Sequence, residues 1–441
     1  MFLLLFSPVI GSVRGMSTRL GLDWKRLASN SNVALAILTG LNLLHYLDRS
    51  VLSSVVVPMK AELGLSDGEL GRLWTAFMLG YFVTSPLFGY FGDRYPRRWL
   101  IFAGIFFWSL GTVLTGVASL FAFMLAMRVL VGLGEASYAT LSPGWIADLY
   151  EPARRNNALT IFYTAIPVGS ALGYILGGVV SERYGWREAF YFAGAPGLLL
   201  AFILLWMHEP TRGEADARAG IEAAQEKPKL RDVLKLSRLG RYHLVVWGYT
   251  AYTFALGAFG FWGPAFLNRF HQVPNEKAAL FFGAVLVVTG LVGTLVGGFA
   301  ATAWQRRSTS GYAWLSSLSV LAAVPVSVLA FLSPNTTISM ICLALAMFLA
   351  FLSTGPVNTL LLESVPVNLR ASAVAVSIFA THLFGDFWST EIVGLLSDSW
   401  QSLRAAVMIL PGALFVAAIL WAVLAKDMGK GAEKRVTLAE V

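Results

Sequence analysis

The sequence predicts an all-α membrane protein in which twelve transmembrane helices form two six-helix bundles related by a pseudo-two-fold axis. Three observations support this architecture. The 441 residues are 56% hydrophobic and only 13% charged, about half the charged fraction of a soluble domain. Twelve apolar stretches approach or exceed the roughly 20 residues that a membrane-spanning helix needs. One long polar connection then separates the first six stretches from the last six.

The predicted spans follow one another with short connections. They occupy residues 33–59, 69–92, 99–119, 120–149, 156–181, 188–207, 243–268, 278–304, 312–332, 337–363, 371–397 and 404–425. Five regions result from these limits: an N-terminal cytoplasmic segment 1–32, an N-terminal bundle 33–208, a cytoplasmic linker 209–242, a C-terminal bundle 243–425 and a cytoplasmic tail 426–441. Within the linker, a short amphipathic helix is expected around residues 230–239.

The basic residues define an orientation rather than a nucleic-acid surface. A net charge of +8 and a pI of 9.6 would suit a nucleic-acid binder, but the Lys and Arg residues cluster in alternate short loops. The positive-inside rule then predicts that both termini are cytoplasmic. The compact loops favour a prokaryotic plasma (inner) membrane. The apolar opening lacks the basic start of a signal peptide, and we expect the native protein to begin at Met16.

Several classes of function are excluded by missing motifs. The single cysteine, Cys342, permits no intramolecular disulfide and no cysteine metal cluster. No phosphate-binding loop, nucleophile elbow or metal-binding spacing occurs in the sequence. We therefore expect neither an enzyme nor an ATP-driven pump, no cofactor and no bound metal. A monomer is expected.

Ionisable residues fall in the middle of two predicted spans. Span 1 contains His45, Asp48 and Arg49, and span 4 contains Arg128 and Glu135. Such residues are costly inside a membrane and normally face a bundle interior or water. Because neighbours in sequence cannot share a helix face, the aspartate and the arginine of span 1 must each find a partner elsewhere.

Two interpretations of these charges remain open. In the first, Arg49 with Glu135 and Asp48 with Arg128 are permanent pairs that fasten span 1 to span 4. In the second, at least one carboxylate exchanges a proton while an arginine alternates between that carboxylate and an anionic substrate. We favour the second, since four buried charges are an expensive fastening.

Two further spans carry candidate residues. In span 11, His382 and Asp386 lie four residues apart on one face, as a local hydrogen-bonded pair or as a substrate or proton site. In span 7, Trp262 and Pro264 mark a point where a membrane helix can break beside a cavity. They form a candidate outer gate, with membrane-interface anchoring as the alternative for the tryptophan.

The stretch GYFGDRYPRR closes span 2. Gly89 and Asp93 share a helix face, so a smooth surface on which another helix could slide leads to a carboxylate. The spacing G-x-x-x-D-R-x-x-R-R resembles the loop between helices 2 and 3 of the major facilitator superfamily, where it acts as a cytoplasmic latch. Its usual glycine is Pro96 here, and a generic positive-inside turn is the alternative. The candidate latch residues are Gly89, Asp93, Arg94, Arg97, Arg98 and Arg154.

An internal repeat supports the division into six and six. A shift of about 209 residues brings the end of span 2 onto the end of span 8, where Gly298, Arg306 and Arg307 correspond to a glycine and two arginines of the first copy. Thr302 stands where the first copy has its aspartate. Charge-based locking is therefore expected mainly in the first half.

With these residues in view, the chain resembles the Spinster family of the major facilitator superfamily. The matching pieces include YLDRSVLSSVVVP in span 1, RVLVGLGEASYATLSPGWIADL in span 4, TGPVNTLLLESVP in span 10 and HLFGDFWSTEIVGLLSD in span 11. Trp388 and Thr390 depart from the small residue and the proline expected there.

The resemblance implies transport of single-chain lipids, such as lysophospholipids or sphingosine-1-phosphate, by alternating access, with proton coupling in some members. On the matching positions, Asp48 and Glu135 would be the proton-coupling carboxylates and Arg49 the head-group or switch arginine. The remaining candidates for the head-group site are Arg128, His45, Tyr138, His382 and Asp386.

Three functions are carried forward. The first is a secondary active or facilitative carrier of single-chain lipids, with protons as a potential coupling ion. The second is a proton-coupled carrier of a small organic anion such as a sugar acid, recognised by Arg49 and Arg128. The third is a membrane sensor that transports nothing. The expected partners are a lipid or amphipathic small molecule, protons and the bilayer, with no nucleic acid.

Overall fold

The computed structural model describes residues 30–92, 94–218, 235–365 and 370–439. The first half of the chain forms six helices: α1 Ser31–Leu63, α2 Asp67–Gly92, α3 Arg97–Val117, α4 Phe121–Leu149, α5 Pro152–Tyr184 and α6 Trp186–Leu204. Between the halves, the described part of the chain contains a short helix, Glu214–Arg218, and a 3-10 turn, Lys235–Arg238.

The second half also forms six spans, three of which are interrupted. They are α7 Gly240–His271, α8 Asn275–Gln305, α9 Gly311–Leu332, α10 Thr336–Phe351 with Thr354–Glu363, α11 Arg370–Thr381 with a π turn His382–Asp386 and Phe387–Trp400, and α12 Leu403–Ala406 with Ile409–Ala439. The predicted all-α architecture is confirmed. A helix satisfies its backbone hydrogen bonds within its own segment, as a chain surrounded by lipid requires.

Nine of the described helices are long and apolar enough to cross a membrane by length and composition alone. The other three spans, α1, α2 and α11, fall short for local reasons. Polar residues lower the hydropathy of α1 and α2, and the π turn divides α11.

The ends of α1 show how the sequence sets helix limits. The side chain of Asn30 accepts hydrogen bonds from the backbone N–H groups of Asn32 and Val33, as an N-cap residue does. At the other end, Gly64 has φ 65°, a left-handed conformation that glycine adopts without steric cost. The helix therefore extends four residues past the predicted limit.

Two features add detail to the predictions. A helix can break at Pro264, but α7 is continuous around it. Residues 426–439, part of the predicted cytoplasmic tail, continue α12 as a helix to Ala439. The amphipathic helix expected around residues 230–239 lies largely outside the described residues, and its described end is the 3-10 turn.

Glycines bring the helices of the first half into backbone contact. A Cβ atom added at Gly132 of α4 would lie 1.9 Å from the carbonyl oxygen of Phe77 on α2. One added at Gly80 of α2 would lie 2.2 Å from the carbonyl oxygen of Val129. Such close approach through small residues is typical of membrane helices. It fixes α2 against α4, and with it the depth at which α4 presents its charged residues.

The two halves touch at one end of the molecule and separate at the other. We call the end where α2 meets α3 and where the inter-half connection lies the linker side, and the opposite end the far side. At the far side, Cβ atoms added at Gly71 or Gly394 would lie 2.5 and 2.2 Å from backbone oxygens of the other half. At the linker side, a Cβ added at Gly89 or Gly298 meets no atom within 4 Å. The conformation is open toward the linker side.

Candidate functional site

A buried carboxylate, Glu135, lies between two basic side chains of α1. Its Oε2 is 2.9 Å from Nε2 of His45 and 3.3 Å from Nε of Arg49. His45 and Arg49 are one helical turn apart, so both reach the same oxygen. Neither approach has hydrogen-bond alignment. The carboxylate is thus held by charge and proximity, an arrangement that a competing anion can disturb.

Asp48 has a different partner from the one expected. It accepts a hydrogen bond from Oγ1 of Thr112 on α3, with an oxygen-oxygen distance of 2.5 Å. Within the described residues, all three nitrogens of Arg128 lack hydrogen-bond partners, and its Cζ lies 5.1 Å from the centre of the Phe77 ring. The Asp48–Arg128 ion pair of the first interpretation is therefore absent from this conformation, whereas Arg49 and Glu135 are in contact.

Arg49 is the most accessible charged residue of the α1–α4 cluster. Its side chain is 14% exposed, and that of Glu135 is 0% exposed. Four aromatic rings surround the guanidinium group, with centroids 4.9 to 5.9 Å from Cζ. They belong to Tyr46, Trp74, Phe77 and Tyr81. Aromatic faces attract a guanidinium, so the rings keep Arg49 in place without occupying its hydrogen-bond donors.

Tyr138 supports the cluster from behind. Its hydroxyl donates a hydrogen bond to the carbonyl oxygen of Leu38 on α1, and its ring centroid lies 5.8 Å from that of His45. The side chain is fully buried. Tyr138 therefore aligns α1 with α4 and positions the histidine, and it does not reach the open side in this conformation.

The opposite wall is the π turn of α11. Nδ1 of His382 lies 3.0 and 3.1 Å from the two carboxylate oxygens of Asp386. The histidine is 33% exposed and the aspartate 17%. The carbonyl oxygen of Asp386 also accepts a hydrogen bond from Nε1 of Trp74, at 3.1 Å, which ties the wall to α2. Such π turns often occur at functional sites, and sequence spacing did not predict this one.

At the far side, Asp67 joins the two halves. One of its oxygens is 2.5 Å from Nζ of Lys60, and both lie 2.7 to 2.8 Å from Nη1 of Arg269. Ser397 of α11 donates a further hydrogen bond at 2.6 Å. Burial alone would raise the pKa of Asp67, but Arg269 and these hydrogen bonds lower it below its ordinary value. The carboxylate is therefore held in its charged form.

Asp398 completes the far-side closure. Its two oxygens accept hydrogen bonds from the backbone N–H groups of Asp67 and Gly68, at 2.9 and 2.6 Å. These are the first residues of α2, where a helix presents unpaired donors. A second ion pair, Arg72 with Glu391 at 2.9 Å, continues the contact along the same helices. Sequence reasoning missed this closure, because charges at loop ends look like ordinary solvent-facing residues.

Comparison with known proteins places this arrangement in a family. The sequence pattern of the Major Facilitator Superfamily matches residues 38–389. The chain is 33% identical over 386 residues to the sphingosine-1-phosphate transporter SPNS2 of Danio rerio, covering 84% of this chain and 76% of the relative. It is also 33% identical over 374 residues to protein spinster of Drosophila melanogaster, covering 82% and 61%.

The chain belongs to the Spinster family of the major facilitator superfamily. Members of this superfamily are membrane transporters, so the chain is a transporter and not an enzyme.

The solved structures agree on the fold. A bacterial homolog of the human lysosomal transporter Spinster, in an inward-facing and occupied conformation, superposes with a TM-score of 0.76 at 24% identity, covering 91% of this chain and 97% of that one. A D-xylose-proton symporter superposes with a TM-score of 0.70 at 18% identity, covering 89% and 96%. At these identities the likeness concerns the fold alone.

In this Spinster-family chain, the latch candidates Arg97 and Arg98 make their described contacts within the first half. Arg97 pairs with Asp148 of α4 at 2.6 Å, and the Glu209 carboxylate accepts hydrogen bonds from the backbone N–H groups of Arg97 and Arg98 at 2.7 and 3.2 Å. The Glu209 contact could not be predicted from the sequence, because its partners are more than 100 residues away.

The other latch candidates are dispersed. Arg94 lies over the ring of Tyr90, with Cζ 3.5 Å from its centroid. Arg154 is exposed at the start of α5, and Gly89 faces open space. Asp93 lies outside the described residues. In this conformation a Cβ added at Gly89 would meet no atom within 4 Å, so the glycine surface is unpacked.

The two residues of the predicted outer gate are buried within the second half. Trp262 is fully buried, and its Nε1 donates a hydrogen bond to the carbonyl oxygen of Thr390 on α11 at 2.9 Å. Pro264 is also buried. A fully buried indole is not a membrane-interface anchor. Among the described residues, no group of three or more His, Cys, Asp or Glu side chains could hold a metal ion.

Proposed function

We propose that this protein carries single-chain lipids with an anionic or zwitterionic phosphate head group, of the lysophospholipid or sphingosine-1-phosphate class, across the membrane by alternating access. The observation that carries the proposal is the contrast between Arg49, which is partly exposed, and the sealed Glu135 that it contacts. The relative from Danio rerio, a sphingosine-1-phosphate transporter by name, supports the same substrate class.

The chemistry begins with competition for Arg49. A guanidinium presents a planar fork of donors that matches a phosphate group. Arg49 has a poorly aligned contact with Glu135, at 3.3 Å, and a weak hydrogen bond from Nη2 to Sδ of Met78, at 3.8 Å. An incoming head group can replace both. The aromatic rings of Tyr46, Phe77 and Tyr81 then face the first part of the lipid, and the apolar surface beyond them suits one acyl chain.

Proton coupling follows from the loss of that contact. When a head group takes Arg49, Glu135 retains His45 as its near neighbour, 2.9 Å away. The buried carboxylate then has one basic neighbour in place of two, and Glu135 is the first proton-exchanging carboxylate of the proposal. Asp48, held by Thr112, is the second proton-exchanging carboxylate of the proposal. His382 and Asp386 face the same opening and serve the head group or the proton.

The linker side is cytoplasmic in this proposal, and the far side is external. The distribution of Lys and Arg supports that orientation through the positive-inside rule. The open linker side then corresponds to an inward-open state. The far-side contacts of Asp67 and Asp398 hold that state closed to the outside. We further propose a monomer in a prokaryotic plasma membrane.

The test is uptake into proteoliposomes. Labelled lysophosphatidylcholine and sphingosine-1-phosphate are offered with and without a proton gradient to the wild type, Glu135→Gln, Arg49→Ala and Arg49→Lys. A hydrogen bond to a charged group contributes about 1.5 to 3 kcal/mol, so Arg49→Ala should lose roughly 10- to 150-fold in uptake of an anionic head group. Arg49→Lys keeps the charge without the fork and should lose less.

Controls distinguish a lost site from a lost fold. Arg306→Gln removes an exposed arginine of the linker side in the other half and should transport as the wild type does. Glu135→Gln should transport lipid without responding to the gradient. Uptake of small organic anions without lipid flux would overturn the substrate class. Lipid flux indifferent to the gradient and to Glu135 would overturn proton coupling, and the absence of any flux would favour a sensor.

A further inference from the structure

A basic cavity lies at the linker side, away from the α1–α4 cluster. Its volume is about 530 Å³, and the turn between α2 and α3 and the segment that follows α6 line it. Three arginines face it, Arg94, Arg98 and Arg212, together with His208 and one carboxylate, Glu209. Arg94 and Arg98 are also latch candidates, but in this conformation Arg94 lies over the Tyr90 ring and Arg98 meets Glu209 through its backbone N–H. The proposed transport step does not account for this concentration of positive charge.

The single carboxylate of the cavity is already engaged. Both oxygens of Glu209 accept backbone N–H groups at the start of α3. The neighbouring carboxylates are engaged as well. Asp148 contacts Arg97 and the N–H of Gly213, and Glu214 contacts Arg218 and the N–H of Thr211. The residues lining the cavity therefore include three arginines and one glutamate, and the oxygens of that glutamate are hydrogen-bonded to the start of α3.

Two of the arginines are held in place with donors to spare. Nη2 of Arg212 donates to the carbonyl oxygens of Gly92 and Tyr95, and Nη1 of Arg94 donates to the carbonyl oxygen of Tyr90. Each guanidinium has five N–H donors, and most of those on Arg94 and Arg212 have no acceptor among the described residues. Fixed arginine forks lose little freedom when they bind a phosphate group.

The position of the cavity indicates which anion it meets. It opens at the linker-side ends of two spans, where head groups of the surrounding bilayer lie. Tyr90 and Tyr95 are more than half exposed at this level, as aromatic residues of the membrane interface are. Basic pockets beside membrane helices bind the head groups of anionic lipids.

We propose that this cavity binds the phosphate head group of an anionic two-chain phospholipid of the bilayer, which the protein does not transport. The head group would bridge the α2–α3 turn, through Arg94 and Arg98, to Arg212 in the segment that leads into the inter-half connection. A bound lipid would thereby fasten the start of that connection to the first bundle. This inference depends on the membrane location of the chain and not on the proposed substrate.

The experiment measures binding alone. The purified, delipidated full chain in detergent is titrated with dioleoyl phosphatidylglycerol or dioleoyl phosphatidylcholine, and bound lipid is counted by native mass spectrometry. Each basic side chain near an anionic lipid contributes roughly a factor of five. The triple variant Arg94→Gln/Arg98→Gln/Arg212→Gln should therefore bind phosphatidylglycerol roughly 100-fold more weakly than the wild type.

A matched control carries the same change of charge. Arg306→Gln/Arg307→Gln/Lys426→Gln removes three exposed basic residues from the linker side of the second half and should bind phosphatidylglycerol within about threefold of the wild type. Equal losses in the two triple variants would overturn the proposal, since general charge would then account for the binding. Equal binding of the two lipids by the wild type would overturn it too.

Two further arms complete the test. Inorganic phosphate should not displace phosphatidylglycerol at equal concentration. Displacement would identify a site for free phosphate and overturn the lipid assignment. The single variant Arg98→Gln, whose side chain makes no described hydrogen bond to a backbone carbonyl, should bind roughly fivefold more weakly and keep its fold. Unchanged binding in this variant would contradict the proposal even if the triple variant failed to fold.

Discussion

Replacing Asp67 by asparagine should open the far side. The carboxylate is buried, and two of its partners, Arg269 and Ser397, come from the other half. Asparagine has the same shape and keeps one acceptor oxygen, but it turns an amide group toward Lys60 and Arg269. The two halves would then lose their charged contact at this end while the packing of the glycines around it stays in place.

The size of the effect follows from the contacts that are lost. A hydrogen bond to a charged group contributes about 1.5 to 3 kcal/mol. The Arg269 side chain is 24% exposed, so solvent screening weakens its contact with Asp67. Lys60 is 36% exposed and belongs to the same half as Asp67, so its contact does not hold the two halves together. A net change of about 2 to 3 kcal/mol results, which corresponds to a shift of roughly 30- to 150-fold in the ratio of the two conformations.

Spin labels on the far side measure that shift. Cys342 is first replaced by alanine, and cysteines are placed at the exposed positions Leu120 and Thr337. Spin labels on these two cysteines report the separation of the halves by pulsed electron paramagnetic resonance. Asp67→Asn should populate a longer distance. Glu62→Gln is the matched control, because Glu62 pairs within the first half. An unchanged distance distribution in Asp67→Asn, or the same change in Glu62→Gln, would refute the assignment of Asp67 as an inter-half contact.

Three other predictions concern stability and pH. A carboxyl group whose pKa is lowered in one conformation stabilises that conformation above its ordinary pKa, and the effect is lost as the pH falls. Far-side closure should therefore be constant from pH 8 to 5 and weaken below 3.8, the ordinary pKa of Asp67. The same spin labels would measure this change. Gly132→Ala places a Cβ against a carbonyl oxygen and should lower the melting temperature in detergent by several degrees, corresponding to about 1 to 3 kcal/mol. Gly89→Ala adds a Cβ in open space and should leave the melting temperature unchanged. Equal melting temperatures of the two variants would contradict this packing. Arg128→Met removes a buried guanidinium with no described hydrogen bond and should leave the melting temperature unchanged or raised, while a fall of several degrees would show that Arg128 has a stabilising partner.

The fold was predictable because lipid leaves the backbone few choices. Apolar stretches of sufficient length must become helices, and the long polar connection between the sixth and seventh stretches separates the halves. Helix ends were less predictable. The end of α1 depends on the left-handed conformation of Gly64, and the continuation of α7 around Pro264 depends on the helices packed against it.

The candidate site was predictable in part. Helical spacing placed His45 and Arg49 one turn apart, and the structure brings both to Glu135. The partner of Asp48 could not be inferred, because Thr112 is one of many hydroxyl residues and carries no charge that would mark it. The far-side role of Asp67 depends on a chain segment about 330 residues away, which helical spacing within one span does not report.

The π turn of α11 has a mechanical consequence. Its wide turn, at His382–Asp386, separates a far-side rod from a linker-side rod. The far-side rod is hydrogen-bonded to α2 through Thr75 and Gly71, whereas the linker-side rod meets α2 through the ring of Phe379, whose centroid lies 4.7 Å from that of Phe82. A helix interrupted in this way bends at low cost, because its hydrogen-bond ladder is already irregular there. The joint lies at the depth of Arg49. The linker-side rod can therefore tilt toward the first half while the far-side rod keeps its contacts with α2. One helix thus takes part in closing both ends of the protein, with the π turn as the shared hinge.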